Sequence, residues 1–163
     1  MVVYTPIYLH SHVGFGWNKI GIIFTVMLLP FALLESPLGR LADEKYGEKE
    51  ILSAGFVIIA VATAALAFVG GPNFYLWMLG LFATRVGASM IEVMNETYFF
   101  KKNSDRDPSI IGLFRMTKPF AYIIAPLFAT VLFFFADYRL SFLVLGMIML
   151  LGLRYSLTLK DTL

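Results

Sequence analysis

Five ionisable side chains lie inside long apolar stretches of this chain, and their spacing is helical. Arg85, Glu92 and Glu96 recur with Ser89 at offsets of 4, 7 and 11 residues from Arg85, and Arg115 and Lys118 recur with Tyr122 at offsets of 3 and 7 from Arg115. At 3.6 residues per turn, each set shares one helix face. Charge placed in hydrocarbon is costly, so such groups face protein or a water-filled cavity. Three kinds of chemistry fit them. They can form an interhelical ion network that fixes packing. Glu92 or Glu96 can take up and release a proton as burial and a nearby cation tune it. Arg85 or Lys118 can hold an anionic group of a substrate. The chain has no nucleophile beside a base, no phosphate loop and no carboxylate pair spaced for hydrolysis, so no enzyme activity is expected. His10-Ser11-His12 has no carboxylate near it and Gly14-Phe15-Gly16 lacks a strand-to-helix context, so neither a metal nor another cofactor is expected. Glu35 reads as a solvated or loop-linked carboxylate.

Composition says what must position these groups. The 163 residues are 59% apolar and only 15% charged, with a mean hydropathy of +0.78. A soluble domain carries about a quarter charged residues, and its surface could not absorb this much apolar side chain. The solvent is therefore lipid. A net charge of +2 with scattered basic residues excludes a nucleic-acid partner, and the absence of cysteine excludes disulfides and thiolate chemistry.

A span needs roughly 20 mostly apolar residues. The uncharged runs predict an all-α polytopic bundle of five full spans, at about 18–38, 51–69, 74–100, 108–135 and 140–158, with a partial helix at 1–10, in one transmembrane domain over 1–163. Gly70-Gly71-Pro72-Asn73 divides the second and third spans as turn chemistry would. Asp107-Pro108 reads as an N-cap followed by proline at the first helical position. Trp17, Tyr75, Trp77 and Tyr138 are expected as aromatic anchors at one interface.

Basic residues near span ends orient the chain. Arg40, Lys45, Lys49, Lys101, Lys102, Arg106, Arg154 and Lys160 fall on one side, and Lys19 and Arg139 on the other. This places the 39–50 loop, the 101–107 loop and the C-terminus in the cytoplasm, in a plasma (inner) membrane. No basic residue precedes the first apolar run, so no cleaved signal peptide is expected.

The first loop on the basic side reads Gly39-Arg40-Leu41-Ala42-Asp43-Glu44-Lys45-Tyr46-Gly47-Glu48-Lys49. It resembles the signature loop of the major facilitator superfamily, Gly-x-Leu-Ala-Asp-(Arg/Lys)-x-Gly-(Arg/Lys)-(Arg/Lys). Gly39, Leu41, Ala42 and Asp43 match in place, Gly47 arrives one residue late, and Glu44 and Glu48 stand where the family has basic residues. Glycine there suits close helix packing and a tight reversal, and the aspartate can accept from a neighbouring helix N-terminus. Ala121 to Thr130 resembles a degenerate form of the family's Gly-x-x-x-Gly-Pro-x-x-Gly-Gly motif. Its small residues Ala121, Ala125 and Ala129 are expected to admit a close helix neighbour.

The resemblance implies half of a twelve-helix secondary transporter, an architecture that is itself a standard worked example of internal repeats. Because the chain stops five residues beyond its last span and no long basic linker follows, the C-terminal half is expected, with 1–10 as the tail of that half's first helix. The implied mechanism is alternating access of a small solute, and the half alone is expected to be inactive. Its partners would be the bilayer, the missing N-terminal half and an unidentified small solute, with protons as one candidate. Two other readings remain open: a membrane assembly or interaction protein, and a small homodimeric transporter.

Depth supplies a specific pairing. Glu96 lies six residues before Lys102 and Arg115 seven after Pro108, so both sit roughly 10 Å from the loop; Glu92 and Lys118 sit about 15 Å from it. The expected pairs are Glu96 with Arg115 and Glu92 with Lys118. Arg85 has no partner in this chain, which leaves its counter-ion to the missing half.

Overall fold

The computed structural model describes residues 4–42, 46–102 and 108–159, and among them all regular structure is helical. A short helix α1 (Tyr4–Ser11) leads into α2 (Trp17–Leu41), α3 (Gly47–Leu66), α4 (Phe74–Lys102), α5 (Pro108–Phe135) and α6 (Tyr138–Leu157). The last five are each long and apolar enough to cross a membrane. This is the helical membrane bundle expected, five full spans with a partial helix before them.

Local chemistry sets the breaks. Gly14 and Gly71 take φ of +84° and +79° in the α1–α2 and α3–α4 connections, a region that side chains with a Cβ avoid. Beyond Gly71, Asn73 Oδ1 accepts the Leu76 amide at 3.2 Å and opens α4. Bonds three residues back wind 67–69 onto the end of α3, so α3 is displaced towards the N-terminus of the expected 51–69. At its start, Gly47 has φ +71°, and α2 runs on to Leu41. Much of the expected 39–50 loop is therefore helical. A helix can continue past the hydrocarbon, because its backbone hydrogen bonds are satisfied internally there too. Asp107, the expected N-cap of α5, lies outside the described residues.

The order of packing is α2 on α4, α4 on α3 and α3 on α6. Glycines bring these helices together. A Cβ on Gly87 of α4 would fall 2.6 Å from the Ile59 backbone nitrogen and 2.8 Å from the Gly55 carbonyl oxygen of α3, and one on Gly146 of α6 would meet the Ala60 carbonyl oxygen at 3.0 Å. In lipid, where hydrophobic burial between helices gives little, such backbone proximity is the main source of packing attraction. The close approaches expected at Gly39 and at Ala121, Ala125 and Ala129 are not formed. A Cβ on Gly39 meets nothing within 4 Å, and the three alanines line a cavity instead.

Two buried clusters mark the ends of the bundle. Leu38, Ala42, Ile51, Leu52 and Met94 pack at the α2–α3 end. At the other end Leu9, Ile23, Leu66 and Phe142 surround Trp77, which is fully buried. Trp17 and Tyr75 are exposed as interface anchors would be, but Trp77 is a core residue whose Nε1 donates to the Gly71 carbonyl at 3.2 Å. Its position beside the turn, on the face of α4 toward α1 and α6, buries it. Tyr138 likewise packs on Tyr8, His12 and Phe133.

Helix α5 differs from the rest. It has no fully buried residue, and its backbone comes near α6 only sparsely. What joins it to the bundle is a small set of side chains.

Candidate functional site

Three of those side-chain contacts lie between α4 and α5. Phe99 and Phe114 stack face to face, with centroids 4.0 Å apart and planes 9° apart. One turn deeper, Lys118 Nζ donates to Glu92 Oε1 at 2.6 Å and to Glu96 Oε1 at 2.8 Å. The sums of the paired residue numbers stay nearly constant along the contact, as antiparallel neighbours require. Phe114 and Lys118, four residues apart, form the face of α5 that meets α4.

This corrects the expected pairing. Glu92 does pair with Lys118, but Glu96 shares the same ammonium and does not pair with Arg115. The reason is rotation about the helix axis. Phe114 faces α4, Lys118 lies about 40° from it, and Arg115 about 100° from it. Arg115 is exposed, with no ion pair among the described residues. The two carboxylates are one turn apart, so the flexible lysine stem can place one Nζ between them.

The triad has one ammonium for two carboxylates, a formal charge of −1. Its side chains are 47% (Lys118), 41% (Glu92) and 43% (Glu96) exposed, so this face of the bundle is open rather than sealed. Ser89, on the same stripe, is fully buried and donates to the Val86 carbonyl of its own helix. Arg85 lies two turns beyond Glu92, partly buried, and its Nε is a buried donor with no hydrogen-bond partner among the described residues.

The signature-loop residues are split. Gly39 and Leu41 belong to the last turn of α2, Ala42 is its buried C-cap, and Gly47 is the first residue of α3. Asp43 lies outside the described residues. An acidic residue does occupy the first turn of α3, where the helix dipole favours it. It is Glu48, 1% exposed, with Oε1 2.6 Å from Lys101 Nζ at the end of α4. Sequence reasoning missed this pair. Its signal was available: an acid in an N-terminal turn and a lysine ending the next helix, its antiparallel neighbour.

At the opposite end an apolar cavity of about 660 Å³ opens between α1, α5 and α6. Tyr4 bridges across it from α1 to α5, with its hydroxyl 2.7 Å from Thr130 Oγ1 and donating to the Pro126 carbonyl at 3.3 Å. His10 and His12 are held by local contacts. His10 Nδ1 lies 2.9 Å from the Phe15 carbonyl oxygen, and the His12 ring stacks on Tyr8.

Five membrane-length helices, a close-packed glycine interface and an ion triad between α4 and α5 define a polytopic helical membrane protein. The family model described as Major Facilitator Superfamily matches residues 1–161, and the chain belongs to that family. Comparisons with curated proteins and with solved structures returned no significant match. Membership carries with it the transport of small solutes across a membrane.

Proposed function

We propose that the chain forms the C-terminal six-helix half of an alternating-access secondary transporter. In this reading the α4 and α5 stripes line the midplane cavity, with Arg85, Glu92, Glu96, Arg115 and Lys118 as its ionisable residues. Glu92, Glu96 and Lys118 form the proton-coupling centre. The observation that carries this is the sharing of one ammonium by two carboxylates. Protonating either carboxylate neutralises the triad and leaves Lys118 bound to the other, so a proton can arrive without stranding a charge in a low-dielectric site. Rocking of the two halves around this site then exposes it to each side in turn. The signature loop and the C-terminus face the cytoplasm of a plasma (inner) membrane, following the basic residues. The activity is transport rather than catalysis.

Glu92→Gln in the full transporter tests the coupling role. The expected result is loss of proton-driven accumulation with solute exchange retained. Unchanged accumulation would assign the triad to packing alone. A second expectation follows from the open face of α4 and α5: this chain alone, reconstituted in liposomes, gives no solute flux above protein-free vesicles. Measurable flux would favour a homodimeric carrier.

A further inference from the structure

The charged stripe of α4 has two ends with different needs. Around Glu92 and Glu96 the demand for a cation is met by Lys118. Arg85 lies seven residues away, roughly 10 Å along the axis, too far to serve the same carboxylates. Ser89, between them, is fully enclosed with its hydroxyl spent on the Val86 carbonyl. The Arg85 guanidinium therefore has no anion among the described residues, and its Nε is buried without an acceptor. A guanidinium does not deprotonate, so the charge stays and requires a counter-anion in the low-dielectric interior.

Helix α5 supplies a second donor near it. Tyr122, one turn past Lys118 on α5, lies within electrostatic reach of the Arg85 guanidinium. Tyr122 is 69% exposed. A planar fork of N–H donors beside a phenol O–H matches the oxygens of a carboxylate or phosphate group.

We infer that Arg85 and Tyr122 form an oxyanion subsite, and that the transported solute carries a carboxylate or phosphate group that they bind. This rests on reading the stripe as the transport cavity. The solute's anionic group then sits about 10 Å from the proton-accepting triad, near enough for each to sense the other's charge and too far for direct contact.

The test uses the full transporter in lipid nanodiscs, with its melting temperature followed against acetate, succinate and inorganic phosphate, and choline as a cationic control. At least one oxyanion is expected to stabilise the wild type in a saturable manner, with no effect of choline. The responses to the carboxylates and to phosphate identify which group is held. Arg85→Gln is expected to weaken the apparent affinity roughly 10- to 100-fold, the range for losing charge-assisted hydrogen bonds, and Arg85→Lys to give an intermediate loss. Tyr122→Phe, at an exposed position that folding does not depend on, is expected to weaken it less. Glu92→Gln, about 10 Å away, is expected to change oxyanion affinity less than Arg85→Gln does.

Equal oxyanion responses in wild type and Arg85→Gln overturn the subsite. An Arg85 counter-ion supplied by another protein segment would give that same result. If Glu92→Gln abolishes proton coupling while Arg85→Gln changes neither binding nor transport, the cavity stands and the oxyanion inference fails. If neither variant alters transport, the cavity reading itself fails.

Discussion

Lys118→Met in the full transporter is expected to lower the initial rate of solute uptake by about tenfold or more, equivalent to at least ~1.4 kcal/mol. The ammonium contacts both Glu92 and Glu96, so its removal leaves two like charges one helical turn apart with no cation between them, which is unfavourable on any helix surface. It also removes the ion-paired part of the link between α4 and α5 and leaves the Phe99–Phe114 stack. The effect on stability alone is expected to be smaller, about 1 kcal/mol, because the three side chains are nearly half exposed. Two further substitutions identify the cause. Adding Glu96→Gln to Lys118→Met restores the balance of charge to −1 and is expected to recover part of the uptake. Arg115→Met, which removes a cation of the same stripe that is outside the triad, is expected to lower the rate less than Lys118→Met does. Full activity of Lys118→Met would remove the triad from the mechanism.

The second large effect is expected at Gly87. A Cβ there would fall 2.6 Å from one backbone atom of α3 and 2.8 Å from another. Backbone cannot rotate away as a flexible side chain would, so α3 and α4 must separate along their whole contact. Gly87→Ala is expected to cost about 1–3 kcal/mol, seen as a lower melting temperature in detergent, and Gly87→Leu to prevent recovery of folded protein. Gly39→Ala is the control. It sits in a helical turn with nothing within 4 Å, so its melting temperature is expected to be unchanged or slightly raised. A Gly87→Ala protein as stable as wild type would show that the helices pack more loosely than described.

Gly87 also shows what could be read from the residues and what could not. The chain's class was legible, because absence of charge over span-length runs depends on one coordinate, depth. Depth likewise placed Glu92 beside Lys118. Rotation about each helix axis was not legible, since it is set by which neighbours pack where. Arg115 and Lys118 differ by three residues and are nearly equivalent in depth, yet only Lys118 shares the face of Phe114. Gly39 and Gly87 are both glycines in helices, and only the second touches another backbone. Trp77 looked like an interface anchor from its distance to a turn, but its side of α4 faces the core. Glu48 was legible only as an acid in the signature loop, whereas the structure encloses it beside Lys101.

Helix α5 carries Pro119 and Pro126. Proline has no amide hydrogen, so the carbonyls of Arg115 and Tyr122 receive no bond from the following turn. One of these weak points lies just past Lys118 and the other just before the Tyr4 bridge. The molecule thus divides into a stiff frame, α2, α3, α4 and α6, and a compliant rod that can flex at two places without giving up buried contact. Since the rod is fastened chiefly by an ion cluster, an aromatic stack and a tyrosine, the charge state of three side chains sets how tightly it is held. A proton arriving at that cluster would be felt as slack in the rod.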